Sequence, residues 1–358
     1  MILARKLKLN ISPNQHTTLM ETLEQYKNCV NRVFEYGFQY KTANGQALHK
    51  ATYRELRDKH PKLPSALVCC ARVKATEALK SIKSNTKGKF DTKPPQAGRY
   101  PSIRYNKTCC AIGEKAFAVT TTSGRIKLPI VNNPFVKEDA KDFISTCELS
   151  YRNKNWYLTV FVEAKCKEPL GTKEILGIDR GVKNIAVCSN NQFFNSKHLK
   201  NVKGKYRFLR KKLQAKGTRS AKRLLKKLSG RENRFVKDVN HCISKQIADL
   251  PFDTFVLEQL DIHAQKGKGR KFNSLLSNWS WFQLDRFLTY KALLQGKKVV
   301  YVDPRYTSQK CSVCAYVYRG NRKTQNDFLC RRCGFRLHAD LNAARNIKNN
   351  YIATLGKA

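Results

Sequence analysis

The sequence predicts a multidomain α/β protein, and three observations carry that expectation. Helical periodicity and short turn-bounded strands fill the first half of the chain. Beyond Gly171, apolar strands that end on acids alternate with amphipathic helices. Near the C-terminus, Cys311-x2-Cys314 and Cys330-x2-Cys333 form two close thiol pairs separated by fifteen residues. That is the spacing of a ribbon closing a tetrahedral four-cysteine zinc site. Redox thiols are the alternative, but two matched pairs favour a metal.

At 358 residues the chain is long enough for two or three domains with cores of their own. Its 70 Lys and Arg against 26 Asp and Glu leave a formal charge of +44. A polypeptide so basic repels itself unless a polyanion is present, which points to nucleic acid as partner. A ribosome-associated protein would carry the same balance, so charge alone does not separate an enzyme from a structural RNA binder. No apolar run approaches the roughly 20 residues of a membrane span, and the first residues do not read as a secretory signal. A soluble intracellular protein is expected, with no membrane partner. The nine cysteines outside the ribbon fall singly or as the doublets Cys69-Cys70 and Cys109-Cys110, which suits reduced core thiols.

The elements follow in order. Leu3 to Ile11 alternates apolar and basic residues, as a half-buried strand does. Ser12-Pro13-Asn14-Gln15 reads as an N-cap, a Pro at N1 and a capping-box Gln opening a helix through Leu19, Leu23, Tyr26, Val30 and Val33. A second helical pattern runs through Leu67, Ala71, Ala75, Leu79 and Ile82. After a Lys, Gly and Pro-rich crossing, strand-like runs appear at 102–107, 117–122, 125–128, 143–150 and 156–163. Ser123-Gly124 and Asn153-Lys154-Asn155 are hairpin connections. These runs predict a small barrel that includes the first strand; whether it touches nucleic acid or only packs stays open.

Glu168 to Gly171 marks the next boundary. Ile175 to Asp179 is an apolar strand ending on an acid, a second strand returns through Val187, and Asn190-Asn191 turns into a third near Phe193 and Phe194. Between Lys197 and Lys237, seventeen Lys and Arg face the single Glu232, over an apolar rhythm from Leu199 to Leu213 that resumes after Gly217. This predicts a helical hairpin whose basic surface either faces phosphate or is simply solvated. Thr254 to Leu260 is a buried strand carrying Glu258, and Lys266 to Lys271 reads as a basic loop. Trp281 to Leu294 is a helix ended by Gly296, followed by a strand from Lys298 and, after the ribbon, by a last helix from Asp340 through Ile347.

Three acids stand out by position: Asp179, Glu258 and Asp340. Asp179 alone reads as a strand-end turn residue as readily as a catalytic one. A carboxylate inside an apolar strand, as at Glu258, must be paired or bind a cation. Hard oxygen ligands from three separate elements suit two Mg2+ or Mn2+ ions, which clamp the attacking and leaving oxygens in phosphodiester hydrolysis. That is the logic of an RNase H-like nuclease. His338, beside the four thiols, orients a phosphate or packs.

At these residues the chain resembles the transposon-encoded TnpB (OrfB) family, relatives of the compact type V CRISPR effectors. The matching stretches are Gly177-Ile178-Asp179-Arg180-Gly181-Val182-Lys183-Asn184, Leu257-Glu258, Tyr306 to Cys314, and Cys330 to Gly334 continuing through His338-x-Asp340-x-Asn342-Ala343-Ala344 to Ile347. One departure is Ala315, where family ribbons often have Gly, which would alter the turn of the first knuckle. The resemblance implies a RuvC-type RNase H-like nuclease domain at 169–303 and 336–358, containing a helical hairpin at 197–250. A zinc ribbon at 304–335 is inserted in it. A wedge-like β-barrel at 1–11 and 86–168 is interrupted by a helical recognition insert at 12–85. The implied activity is RNA-guided cleavage of DNA with Asp179, Glu258 and Asp340 as metal-holding catalytic acids and Cys311, Cys314, Cys330 and Cys333 as zinc ligands. A guide RNA from the transposon end would pair with target double-stranded DNA beside a short flanking motif, in the cytoplasm at the nucleoid. Guided binding without cleavage, or a RuvC-like nuclease needing no guide, are the other readings.

Overall fold

The computed structural model describes residues 1–86, 90, 93–113, 115–131, 143–169, 171, 173–260, 269, 280–324 and 326–356. The basic stretch Lys266–Lys271, apart from Gly269, lies outside the described residues. The chain divides into two compact units, Met1–Ala164 and Lys165–Ala358.

In the first unit, strand β1 (Ile2–Lys8) precedes three helices, α1 (Pro13–Gln39), α2 (Gly45–Lys59) and α3 (Ser65–Asn85). The capping box at Ser12 forms as expected: Ser12 Oγ accepts from the Gln15 amide, and Gln15 Oε1 accepts from the Ser12 amide. Sequence reasoning overlooked α2. Its apolar stripe consists of Leu48 and Leu56 with Thr52 between them, too sparse to stand out, although Asn44 caps its first turn through Gln46 and Ala47. Strands β2 (Ile103–Asn106), β6 (Phe143–Arg152) and β7 (Asn155–Glu163) join β1 in a sheet of order β1-β7-β6-β2. The β6–β7 turn is Asn153-Lys154, both at positive φ (51° and 62°), as a tight hairpin with the twist of its strands requires. A second sheet holds β3 (Cys110–Ile112), β4 (Ala116–Thr121) and β5 (Gly124–Pro129). The first strand thus joins the β-rich segment, but among the described residues the ladders form two sheets linked by the bridge Leu9↔Ile130, and no closed ring.

In the second unit a five-stranded sheet has the order β10-β9-β8-β11-β12, with β8 (Ile175–Asp179), β9 (Asn184–Cys188), β10 (Phe193–Asn195), β11 (Thr254–Glu258) and β12 (Lys298–Val302). The pairs β8–β11 and β11–β12 are parallel; β9 runs antiparallel to β8 and to β10. Strands buried on both faces read as continuous apolar runs, which is why Ile-Leu-Gly-Ile and Phe-Val-Leu show no polar alternation. Leu176, Ile178, Phe255 and Leu257 pack with Ile243, Ile247, Leu284 and Leu288 from helices α5 (Arg219–Ala248) and α6 (Trp281–Leu294). On the opposite face Ile175, Val256 and Val302 meet Ile347 and Tyr351 of the last helix, α7 (Ala339–Leu355). The result is a helix–sheet–helix sandwich.

Helix α4 (Lys197–Lys216) turns at Gly217 (φ 64°) into α5, capped by Thr218. This is the expected hairpin, with one difference: α4 buries none of its residues, and Leu209 is 41% exposed. Glu232 of α5 is buried and paired with Arg210 across the two arms. That acid is spent internally, so on the outer surface Lys and Arg greatly outnumber the one exposed acid of α5, Asp238. Between β12 and α7, a small hairpin of β13 (Asp327–Leu329) and β14 (Arg336–His338) carries the second cysteine pair on its connection. Among the described residues no helix is long and apolar enough to cross a membrane.

Gly177 is where α7 approaches the sheet most closely. A Cβ there would lie 2.1 Å from the Ala344 carbonyl oxygen and 2.7 Å from the Lys348 amide nitrogen. Neither backbone atom can move without displacing the helix. Gly177→Ala is therefore expected to destabilise the second unit by about 3 kcal/mol, read as a shifted denaturant midpoint; an unchanged midpoint would contradict the packing described.

Candidate metal centres

The parallel strands β8 and β11 set the site's first two acids side by side. Their ladder ends on the pair Ile178↔Leu257, and each strand's next residue is the acid, Asp179 or Glu258. Carboxyl ends of neighbouring parallel strands are where such sheets present functional side chains. Asp340, the second residue of α7, comes to the same place because α7 lies against β8 at Gly177. Burial first, and then repulsion from Glu258 and Asp340, push the Asp179 carboxyl well above the usual carboxylate range, against the pull of Arg322 and Arg180. Burial likewise raises Glu258, opposed by the Thr307 hydroxyl and by Arg180 and Arg322. Three acids from distant positions thus share one electrostatic neighbourhood.

Their partners escaped the sequence reading. The Thr307 hydroxyl donates to Glu258 Oε1. Asp340 accepts from Asn184 Nδ2 at 2.9 Å and from Arg322 at 2.9 Å, one on each carboxylate oxygen. Arg322, a residue of the ribbon, reaches Asp340 because the ribbon folds back onto α7. Tyr306 takes a positive φ of 61°, and its carbonyl accepts from the amides of Gln309 and Lys310, fixing the turn that aims Thr307 at Glu258. His338 is the N-cap of α7: its Nδ1 accepts from the Asp340 amide at 3.2 Å, and its ring packs edge-on against Phe193. Its role is to start the helix that carries the acid.

The four cysteines form the second cluster. Their sulfurs all lie within 4.8 Å of one another, with Cys311 to Cys333 at 3.8 Å and Cys314 to Cys330 at 3.5 Å. Four thiolates at about 2.3 Å from a tetrahedral zinc are themselves about 3.8 Å apart, so the quartet could hold that ion. Against the burial that raises it, amides of Cys333 and Arg332 draw the Cys330 thiol down to about 7. Among the described residues this is the one group of three or more such ligands drawn so close together. At the acids, oxygen-only donors, three like charges and partial burial all fit divalent cations.

The two knuckles are built alike. Ala315 N–H donates to the Cys311 carbonyl and Gly334 N–H to the Cys330 carbonyl, each at 3.0 Å, with φ of 59° and 74°. Ala315 therefore keeps the turn that Gly makes in the other knuckle, at the cost of left-handed strain on a Cβ-bearing residue. Asn321 joins the knuckles, donating to the Gln309 and Tyr316 carbonyls and accepting from the Arg331 amide. Asn342 and Asn346, four apart and so on one face of α7, donate to the Lys310 carbonyl, and Asn342 accepts from the Ser312 amide. The cysteine ribbon and the acid-bearing helix are thus tied into one piece.

Two outcomes follow. Ala315→Gly should stabilise the ribbon by about 1 kcal/mol, measured as greater resistance to a zinc chelator. For the acids, a raised folded-state pKa means the folded protein holds protons more tightly than the unfolded chain. The stability gained is complete below about pH 4, the ordinary carboxylate range, and is lost as pH rises through the raised values. In zinc-loaded protein free of other divalent ions, Asp179→Asn should gain in Tm relative to the parent as pH increases; a constant difference would contradict the burial described.

Comparison with known proteins shows what the chain is similar to. A family described as a probable transposase, OrfB_IS605, matches residues 158–268, and the Cas12f1-like TNB domain matches 281–347. The chain is 32% identical over 216 residues to a CRISPR-associated endodeoxyribonuclease Cas12f1 of Sulfoacidibacillus thermotolerans, covering 55% of this chain and 50% of that protein. It is 28% identical over 212 residues to InsQ of Escherichia coli, provisionally named an RNA-guided DNA endonuclease, covering 54% of this chain and 53% of InsQ. The chain spans about half the length of these relatives. The structure resembles Cas12f1 solved by cryo-EM as a complex with sgRNA and target DNA, at a TM-score of 0.70 and 18% identity over 93% of this chain and 83% of that one. That likeness speaks to fold.

Proposed function

Because the chain belongs to the transposon-encoded TnpB/OrfB family, we propose that it is an RNA-guided DNA endonuclease. The observation that carries the reading is the meeting of Asp179, Glu258 and Asp340 at the ends of β8 and β11 and the start of α7. The sheet order, with one antiparallel strand beside three parallel ones, supports a RuvC-type RNase H-like domain. In this reading the four cysteines hold a structural zinc, and the first unit comprises the wedge-like barrel with its helical recognition insert. The protein acts in the cytoplasm at the nucleoid.

Asp179, Glu258 and Asp340 would hold two Mg2+ or Mn2+ ions. Such ions, when bound, activate the attacking water and stabilise the leaving oxygen of the phosphodiester. The chain's own residues do the rest. Thr307 holds one oxygen of Glu258, while Asn184 and Arg322 hold one oxygen each of Asp340. Arg322, which neutralises Asp340 in the free protein, stands where it can meet a phosphate instead. The basic faces of α4 and α5 supply the sequence-independent attraction to backbone phosphates. A guide RNA from the transposon end would carry sequence specificity by pairing with the target strand, and the protein would read a short flanking motif in the duplex.

The test is purification from the native locus followed by sequencing of the bound RNA and assay of guided cleavage. A discrete RNA should accompany the protein. Asp179→Ala, Glu258→Ala and Asp340→Ala should each reduce cleavage by about a thousandfold or more while leaving RNA and target binding in place. Full cleavage by Asp179→Ala would remove these acids from the reaction, and protein active without RNA would remove the guide.

A further inference from the structure

Arg180 follows the first acid directly, yet its side chain turns inward and is only 1% exposed. Its guanidinium makes three contacts. One amino group donates to the backbone carbonyl of Glu258, another lies 3.2 Å from Asp285 Oδ2 on α6, and the plane sits 5.5 Å from the Trp281 ring. Asp285 is itself held, accepting from the Tyr301 hydroxyl of β12 at 2.8 Å. The hydrogen bond to the Glu258 carbonyl and the charge contact with Asp285 leave from different nitrogens of the guanidinium, a spread that the single ammonium of lysine lacks.

A buried ion pair contributes little net stability, since desolvation offsets attraction, and apolar residues would fill the space as well. What this pair does is join the two acid-bearing strand ends without using a carboxylate oxygen of either acid. It also sets the local charge: Arg180 alone would oppose a cation at Asp179 and Glu258, and Asp285 cancels it.

We infer that Arg180 and Asp285 are a positioning pair that registers Asp179 against Glu258 and tunes the affinity of this site for divalent cations. The inference rests on the nuclease reading of the acids. Its consequence is a pair of opposite effects. Asp285→Asn leaves Arg180 uncompensated and weakens cation binding, whereas Arg180→Gln leaves Asp285 uncompensated and strengthens it.

The experiment is direct binding of Mn2+, read by electron paramagnetic resonance of the free ion, on the full chain with zinc loaded and without nucleic acid. Asp179→Asn should abolish the site measured in the parent. Asp285→Asn should weaken Mn2+ binding roughly tenfold, Arg180→Gln should tighten it several-fold, and the double variant should return towards the parent. Misfolding would weaken both single variants, so opposite shifts are the signature. Shifts in the same direction, or affinities unchanged in both, would overturn the pair's role while leaving the acids' assignment intact. Parent binding that Asp179→Asn does not affect would overturn the assignment of the acids, and this inference with it.

Discussion

The close approach of α7 to β8 at Gly177 is the contact on which the second unit depends. Only a residue without a Cβ lets the Ala344 carbonyl come so near the strand. The small side chains of Ala343 and Ala344 keep the helix flat against the sheet, both buried. Since Asp340 is one turn before Ala344, the depth of that packing decides where the third acid stands. The ribbon inherits its position from the same helix, because Asn342 and Asn346 fasten its first knuckle to α7.

Charge is distributed to match. The protein carries a formal +44, yet its second unit concentrates acids at one point, where burial raises Glu258 and burial together with repulsion from Glu258 and Asp340 raises Asp179. Such a point is unstable for bare carboxylates and favourable for cations. Around it the unit places arginines with distinct partners: Arg322 on the Asp340 carboxylate, and Arg180 on the Glu258 backbone and Asp285. Along the hairpin the opposite choice is made, with Glu232 withdrawn against Arg210 so that Lys and Arg dominate the outside. A polyanion would be attracted over a wide surface and bent upon a small negative site only where metal ions bridge the two.

Strain is also placed with economy. Ala315 holds a left-handed turn that Gly334 holds freely in the matching knuckle, and Tyr306 holds another beside the partner of Glu258. Both are kept by hydrogen bonds across the turn, from Ala315 to Cys311 and from Gln309 and Lys310 to Tyr306.

The local pieces can be read from short stretches of the chain. The capping box at Ser12, the hairpin turn at Gly217 and the thiol spacing each depend on residues a few positions apart, so linear pattern suffices to specify them. Apolar strands ending on Asp179 and Glu258 were equally legible, because burial on both sheet faces leaves a continuous apolar run. Helix α2 was not, since a stripe of two leucines and a threonine carries little signal, and neither was the exposure of α4, whose apolar rhythm is only half-buried and leaves Leu209 open to solvent. Tertiary structure alone decided which groups meet: Thr307 with Glu258, Asn184 and Arg322 with Asp340, Arg180 with Asp285. Those partners lie tens of residues apart, and their contact follows from parallel strand register and from how near a helix can come to a glycine. Neither quantity is written in any local stretch of the chain.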